Sequence, residues 1–120
     1  MAFVDFQPAL IQSNELQLTT VGRRTGRESS RQVWFVRDNQ TLFLIPGDGA
    51  DSQWYKNVLQ TPRIRLSAHG TEQIAQATPI TDSNGVTRIV VAFQDKYGRR
   101  QMAALYPKCD VAVEVHALAQ

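Results

Sequence analysis

The chain is short of the residues that mark specialised architectures. Cys109 is its one cysteine in 120 residues, so no internal disulfide can form; this excludes a stapled secreted scaffold and fits a reducing compartment. No apolar run approaches the roughly eighteen residues that would cross a bilayer. The opening MAFVDFQPALIQ carries Asp5 and Pro8 where a secretory leader needs a basic start and a longer apolar stretch. We therefore expect a cytoplasmic protein with no membrane span. Histidine is scarce as well: His69 and His116 stand apart, and with one cysteine they give neither a zinc ligand set nor a triad tied to a nucleophile. Repeats, linkers and low-complexity stretches are missing, and the length predicts one domain over residues 1–120 with a core of its own. Charge is modest, at 13 Lys and Arg against 11 Asp and Glu for a net +2, so long-range steering toward nucleic acid is weak.

What is present is alternation, more often than helical spacing. Leu16, Leu18 and Thr20 alternate with polar neighbours, and Val33 and Phe35 with Trp34 and Val36. Asp38-Asn39-Gln40 turns that strand into Thr41 to Ile45. Asp51 or Ser52 can cap a helix over 53–60 that Pro62 must end. Residues 63–68 and 71–80 read as a second hairpin about His69-Gly70. The spacing Val86, Ile89/Val90, Phe93, Tyr97 is helical with a stop near Gly98. A short apolar segment, Met102 to Tyr106, then leads to Pro107, and Val111, Val113 and Val115 alternate as a closing strand. The order β-β-β-α-β-β-α-β, with short turns and no crossover helices, suits a small closed or split antiparallel barrel better than a doubly wound sheet.

Four arginines, Arg23, Arg24, Arg27 and Arg31, fall within nine positions, opposed locally only by Glu28. Glycines at 22 and 26 permit a turn that aims successive N–H groups at one point, and guanidinium forks match phosphate oxygens. A pair of charges 4 Å apart is worth about 1 kcal/mol in water but about 4 at an effective dielectric near 20. One exposed arginine does little, while several converging ones hold a phosphate; a solvated hairpin loop is the other reading. The loop is not a Walker A motif, and Gly47-Asp48-Gly49 lacks the rest of a dinucleotide fingerprint. Trp54-Tyr55-Lys56-Asn57 can pack a helix face, or Trp54 can wall a pocket for a flat ring.

The string from Leu18 to Leu66, LTTVGRRTGRESSRQVWFVRDNQTLFLIPGDGADSQWYKNVLQTPRIRL, resembles the deazaflavin-dependent nitroreductase and quinone reductase family of the split β-barrel, pyridoxamine phosphate oxidase-like, flavin-binding superfamily. The shared elements are the Thr-Thr-x-Gly-Arg-Arg-Thr-Gly loop (Thr19 to Gly26), the apolar strand Val33 to Val36, the turn at Asp38, the loop Pro46 to Ala50, Trp54-Tyr55-Lys56-Asn57-Val58 and Pro62. The tail FQDKYGRRQMAALYP is more similar to a sister group without assigned function. Glu28 and Ser29 stand where the reductases carry a proline and a basic residue, and Gln32 replaces another proline. The resemblance implies a mainly β (α+β) fold, a six-stranded antiparallel split barrel with two to three short helices, binding a deazaflavin coenzyme of the F-420 type or, alternatively, FMN.

By the same resemblance, Arg23, Arg24 and Arg27, with the backbone at Thr25 and Gly26, would neutralise the cofactor's anionic tail. Ser30, Gln32 and Trp34 would lie along the ring, the backbone of Pro46, Gly47, Gly49 and Ala50 would meet its polar edge, and Trp54 would close one wall. Hydride transfer to a quinone- or nitroaromatic-like small-molecule acceptor is the implied reaction, with Tyr97 and Tyr106 as candidates to line the acceptor side or supply a proton. A homodimer is expected. A non-catalytic flavin-binding or storage protein is the second reading, and a small nucleic-acid-binding barrel, disfavoured by the weak charge, the third.

Overall fold

In the computed structural model, residues 6–11 and 13–118 are described; part of the N-terminal stretch invoked for location lies outside them. The chain runs α1 (Gln7–Ile11), β1 (Glu15–Val21), β2 (Glu28–Trp34), β3 (Val36–Asp38), β4 (Thr41–Leu44), a 3-10 turn (Gly49–Asp51), α2 (Gln53–Gln60), β5 (Arg63–Ala68), β6 (Thr71–Ile80), α3 (Ser83–Tyr97), α4 (Arg99–Leu105) and β7 (Ala112–Ala117). The strands form one antiparallel sheet in the order β2-β1-β5-β6-β7-β4-β3. β2 and β3 are one stretch of chain parted at Phe35, yet they stand at opposite ends of that order. The sheet therefore curls until its two ends share a strand, which makes a split barrel. The six expected strands become seven because one of them breaks.

Local chemistry explains most boundaries. Asn39 at φ 55 turns the β3–β4 hairpin, and His69 at φ 49 with Gly70 at φ 76 turns β5 into β6; asparagine and glycine tolerate this left-handed region best. Asp82 accepts a hydrogen bond from the Gly85 N–H at 2.8 Å and so caps α3. Ser52 precedes α2, but its hydroxyl accepts from the Asp48 N–H at 2.8 Å instead of capping the helix. Two points depart from the expected elements. β2 already begins at Glu28, so Arg31 sits in a strand, and Met102 to Leu105 belong to a helix.

Two apolar clusters hold the fold. The first fills the barrel, with Leu16, Leu18, Leu42, Leu66, Ala75 and Val115 from the strands and Trp54, Tyr55 and Val58 from α2. The second, Ile45, Ile89, Phe93, Met102 and Ala112, seats α3 and α4 on the sheet. Burying one such side chain fully is worth roughly 1.5–3 kcal/mol. The barrel opens between the two clusters, where Val33 and Trp54 of the first and Ile45 of the second line a hollow. From the Phe35 apex, β2 leaves with β1 while β4 leaves with β7, so a wedge opens between β2 and the chain that follows β4.

Candidate functional site

β2 is last in the strand order, so among the described residues one of its edges has no strand beside it. In an antiparallel ladder, alternate residues turn both peptide groups to the same side. Trp34 donates its N–H away from β1, to the Tyr106 hydroxyl at 3.4 Å. The peptide groups of Gln32 and Ser30, two and four residues earlier, therefore also face the wedge. This unpaired edge presents peptide donors and acceptors to the wedge.

Side-chain direction follows from the register. Leu16 faces Val33, Leu18 faces Arg31 and Thr20 faces Ser29. Arg31 thus stands in the inward row of buried residues and is nevertheless exposed. Two hollows meet there. One, about 280 Å³, is lined by Arg31, Gln32, Gly47, Asp48, Trp54 and Tyr106 among others. The other, about 260 Å³, is lined by Thr20, Ser29, Arg31, Gln53, Trp54 and Asn57 among others. Arg31 and Trp54 line both, and a site built from the two enters the range of small-molecule pockets, roughly 300–1,000 Å³. Larger concavities lie elsewhere, one of about 560 Å³ on the polar outer face of β1 and β5 and one of about 650 Å³ between α3 and β3–β4; neither includes a free arginine from the loop.

The arginine loop is a closed turn. Gly22 N–H donates to Arg27 C=O at 2.7 Å, Gly26 N–H to Gly22 C=O at 2.9 Å, and Arg27 N–H to the Thr25 hydroxyl at 3.2 Å. Those amides are spent within the loop. Arg23 lies down on α2: its Nη1 donates to Asn57 Oδ1 at 2.9 Å, its Nη2 to Gln53 Oε1 at 2.8 Å, and its backbone N–H to Asn57 Oδ1 at 3.2 Å. Asn57 Nδ2 reaches Thr20 Oγ1 at 3.3 Å. Arg24 and Arg27 are exposed. Glu28, the one acid beside the patch, is held by Arg65 at 2.9 and 3.0 Å, which keeps its carboxyl below the usual range. It does not neutralise Arg31.

The Pro46 to Ala50 backbone is largely engaged. Gly49 N–H donates to Pro46 C=O at 3.1 Å, Asp48 N–H to Ser52 and Ala50 N–H to the Asp110 carboxylate at 3.1 Å. Gly47 lines the first hollow. Ser30 places its hydroxyl on Thr19 Oγ1 at 2.7 Å, so its edge contribution is the peptide. Trp34 turns to the other face of β2, where its ring lies flat on Tyr97 at 4.2 Å and 8°. Tyr97 Oη stands 2.6 Å from Asn14 O, 2.8 Å from Phe35 O and 3.1 Å from Phe35 N. Burial pushes its phenol up to about 12, against a partial offset from the Phe35 backbone. The Tyr106 phenol is also raised, chiefly by burial, with the Trp34 N–H and Arg31 opposing. Tyr106 walls the hollow and Tyr97 does not.

The structure thus brings Gln32, Gly47, Trp54 and Tyr106 together, with Ser30 at the second hollow, and turns Arg23 and Trp34 elsewhere. The sequence reading missed Arg31, Asn57 and Thr20 as site residues. Extending the Val33 alternation back toward Glu28 would have put Arg31 on the inner face.

Residues 8–117 match the family described as "Uncharacterized protein conserved in bacteria" (DUF2255). No curated protein matches the sequence. Among solved structures, the fold is similar to a putative 5-nitroimidazole antibiotic resistance protein from Bacteroides thetaiotaomicron, with 12% identity and TM-score 0.70 over 97% of this chain and 80% of that one. It is similar to an F420-H2 dependent reductase, with 15% identity and TM-score 0.66 over 86% and 94%. It is also similar to HutZ, the heme storage protein from Vibrio cholerae, with 15% identity and TM-score 0.71 over 100% and 93%. At such identities the likeness shows the fold, and function has to be argued from the site.

Proposed function

The chain belongs to this bacterial family (DUF2255), and from its site we propose that it binds a flavin-type redox cofactor, a deazaflavin or FMN, in the split of the barrel. The observation that carries the reading is the coincidence of an unpaired strand edge, the inward guanidinium of Arg31 and the indole wall of Trp54 around one opening. The residues fit the group. Arg31, backed by the exposed Arg24 and Arg27, supplies charge for an anionic tail. The Ser30 and Gln32 peptides meet a ring's polar edge, Trp54 takes its face, and Leu105 and Tyr106 shield it from water. When bound and reduced, such a ring supplies a hydride to a quinone- or nitroaromatic-like acceptor, in keeping with the reductase resemblance. Arg23 serves as a strap between the loop and α2, not as a ligand.

The site is tested by titrating the protein with FMN, with a deazaflavin and with hemin. Micromolar binding of either ring system supports the reading; tight binding of hemin alone, or of none, ends it. A carrier is the second reading, because Tyr97 does not line the hollow and burial raises the Tyr106 phenol at the wall, which makes it a poorer proton donor. Stopped-flow oxidation of the bound reduced cofactor by menadione separates the two: an enzyme outpaces the free cofactor, a carrier slows it.

A further inference from the structure

The hollow that contains Gly47 and Tyr106 has three fixed walls and one loose one. Val33 of β2, Ile45 after β4 and Trp54 of α2 belong to the buried clusters, so those sides are part of the core. Leu105 and Tyr106, at the end of α4, make the fourth side. Of residues 99–110, Met102 alone is fully buried, with Tyr106 and Cys109 partly so. Leu105 is 53% exposed although it lines the hollow. A flat apolar ring lying there would cover that side chain, so ligand and the closed position of α4 favour each other.

Apart from Met102, this segment is tied down by polar contacts. It leaves α3 at Gly98, a glycine at φ 94 with open space around it, and rejoins the sheet at β7. In between, Asp110 Oδ1 accepts from the Ala50 N–H at 3.1 Å, and Lys108 Nζ donates to Asp51 Oδ2 at 3.1 Å. Both contacts are exposed, and both land on the 3-10 turn Gly49–Asp51, between Asp48 and Ser52 of the hollow's lining. Gly49 makes room for the carboxylate, since a Cβ there would collide with Asp110. The end of α4 meets the same loop: the Leu105 carbonyl oxygen stands 3.7 Å from where a Cβ on Gly47 would be. The Tyr106 hydroxyl adds a long contact, accepting from the Trp34 N–H at 3.4 Å. An exposed ion pair is weak, and a carboxylate on a peptide N–H is the stronger of the two latch contacts. A segment held in this way opens more readily than the core strands beside it.

We propose that residues 99–110 are a lid over the ligand hollow, and that Asp110 is the positioning residue that latches it, through the Ala50 N–H, to the loop across from β2. The ligand half rests on the cofactor reading above; the latch does not. Asp110 does not line the hollow, so its bond is the same whether the hollow is empty or filled. It sets how often the lid opens, and not how tightly the closed site holds its ligand. Entry and exit both pass through the open state.

The test is stopped-flow mixing of FMN with the wild type and with Asp110→Ala. Association and dissociation rates are both expected to rise about fivefold in the variant, for the loss of one charge-assisted hydrogen bond, with the equilibrium constant kept within about twofold. Asp110→Asn keeps an oxygen for the Ala50 N–H and is expected to stay near the wild type. Leu105→Ala, which removes a contact made with ligand only when the lid is shut, should speed dissociation alone. Faster dissociation with unchanged association in Asp110→Ala overturns the proposal, since that is what a damaged wall gives. Unchanged rates, or an Asn variant as fast as the Ala variant, overturn it too. Should Asp110→Ala fail to fold, Lys108→Ala loosens the same connection, and the paired rise decides there. Hydrogen exchange of the ligand-free proteins is the second readout: amides from Arg100 to Tyr106 should exchange faster in Asp110→Ala, with those of β1 and β5 unchanged, and equal exchange in α4 counts against the latch. A wild type that binds no FMN sinks the cofactor reading, while the exchange comparison still decides the latch.

Discussion

Asn57 is the residue on which the arginine loop hangs. Its carbonyl oxygen accepts both from the Arg23 guanidinium and from the Arg23 backbone, and its amide reaches the buried Thr20 hydroxyl. Asn57→Ala takes these partners from the Arg23 N–H and the Thr20 hydroxyl, leaving the guanidinium to Gln53 alone, and is expected to lower stability by about 1–3 kcal/mol, read as a shift of the urea midpoint at unchanged slope. Arg23→Ala should likewise show mainly as lost stability. Arg31→Ala should leave the melting temperature nearly unchanged and weaken FMN or deazaflavin binding by more than tenfold; an unchanged affinity would remove Arg31 from the site. At this scale the sequence showed a cluster of guanidinium groups but not their division of labour. Arg23 and Arg31 differ only in what the fold sets beside each, helix α2 for one and an open strand edge for the other.

Turns and helix ends carry most of the element-scale chemistry. Gly49 has φ +60, and a Cβ there would sit 2.2 Å from Asp110 Oδ1 and 3.1 Å from the Lys108 Cβ. That same carboxylate holds the Ala50 N–H. Gly49→Ala is expected to cost about 1–2 kcal/mol from the left-handed backbone alone, and calorimetry checks it. α3 makes an alkaline signature. With the Tyr97 phenol pushed up to about 12 from 10.0, the folded state keeps a proton that the unfolded chain has already lost, so unfolding free energy falls as pH rises through that window. Tyr97→Phe should fall less steeply, Tyr106 and Tyr55 being shifted the same way in both proteins. The hairpin over 63–80 and the helix over 53–60 were legible, because turn residues and Pro62 punctuate them. The onset of β2 was not: Glu28 to Gln32 are all polar, and their strand character comes from pairing with β1. α4 was hidden for a related reason, since a helix of seven residues presents only Met102 to the core.

For the molecule as a whole, β2 and β3 end the sheet among the described residues, and the side chains from Glu28 to Gln32 are exposed within one chain. Such edges invite a second copy, and we expect a homodimer by sedimentation at micromolar protein; a strict monomer would remove it. No helix among the described residues is long and apolar enough to cross a membrane. The amino-acid order by itself determined the antiparallel barrel, because alternation, tight turn residues and the lack of crossover helices are local properties that each strand carries alone. Only the tertiary structure decided where the barrel splits and which arginine faces the opening. Those depend on how β2 pairs with β1 and on contacts such as Trp34 with Tyr106 and Phe35 with Tyr97, about sixty to seventy residues apart in the chain, so that even where alternation places a side chain, what stands beside it is set by distant residues.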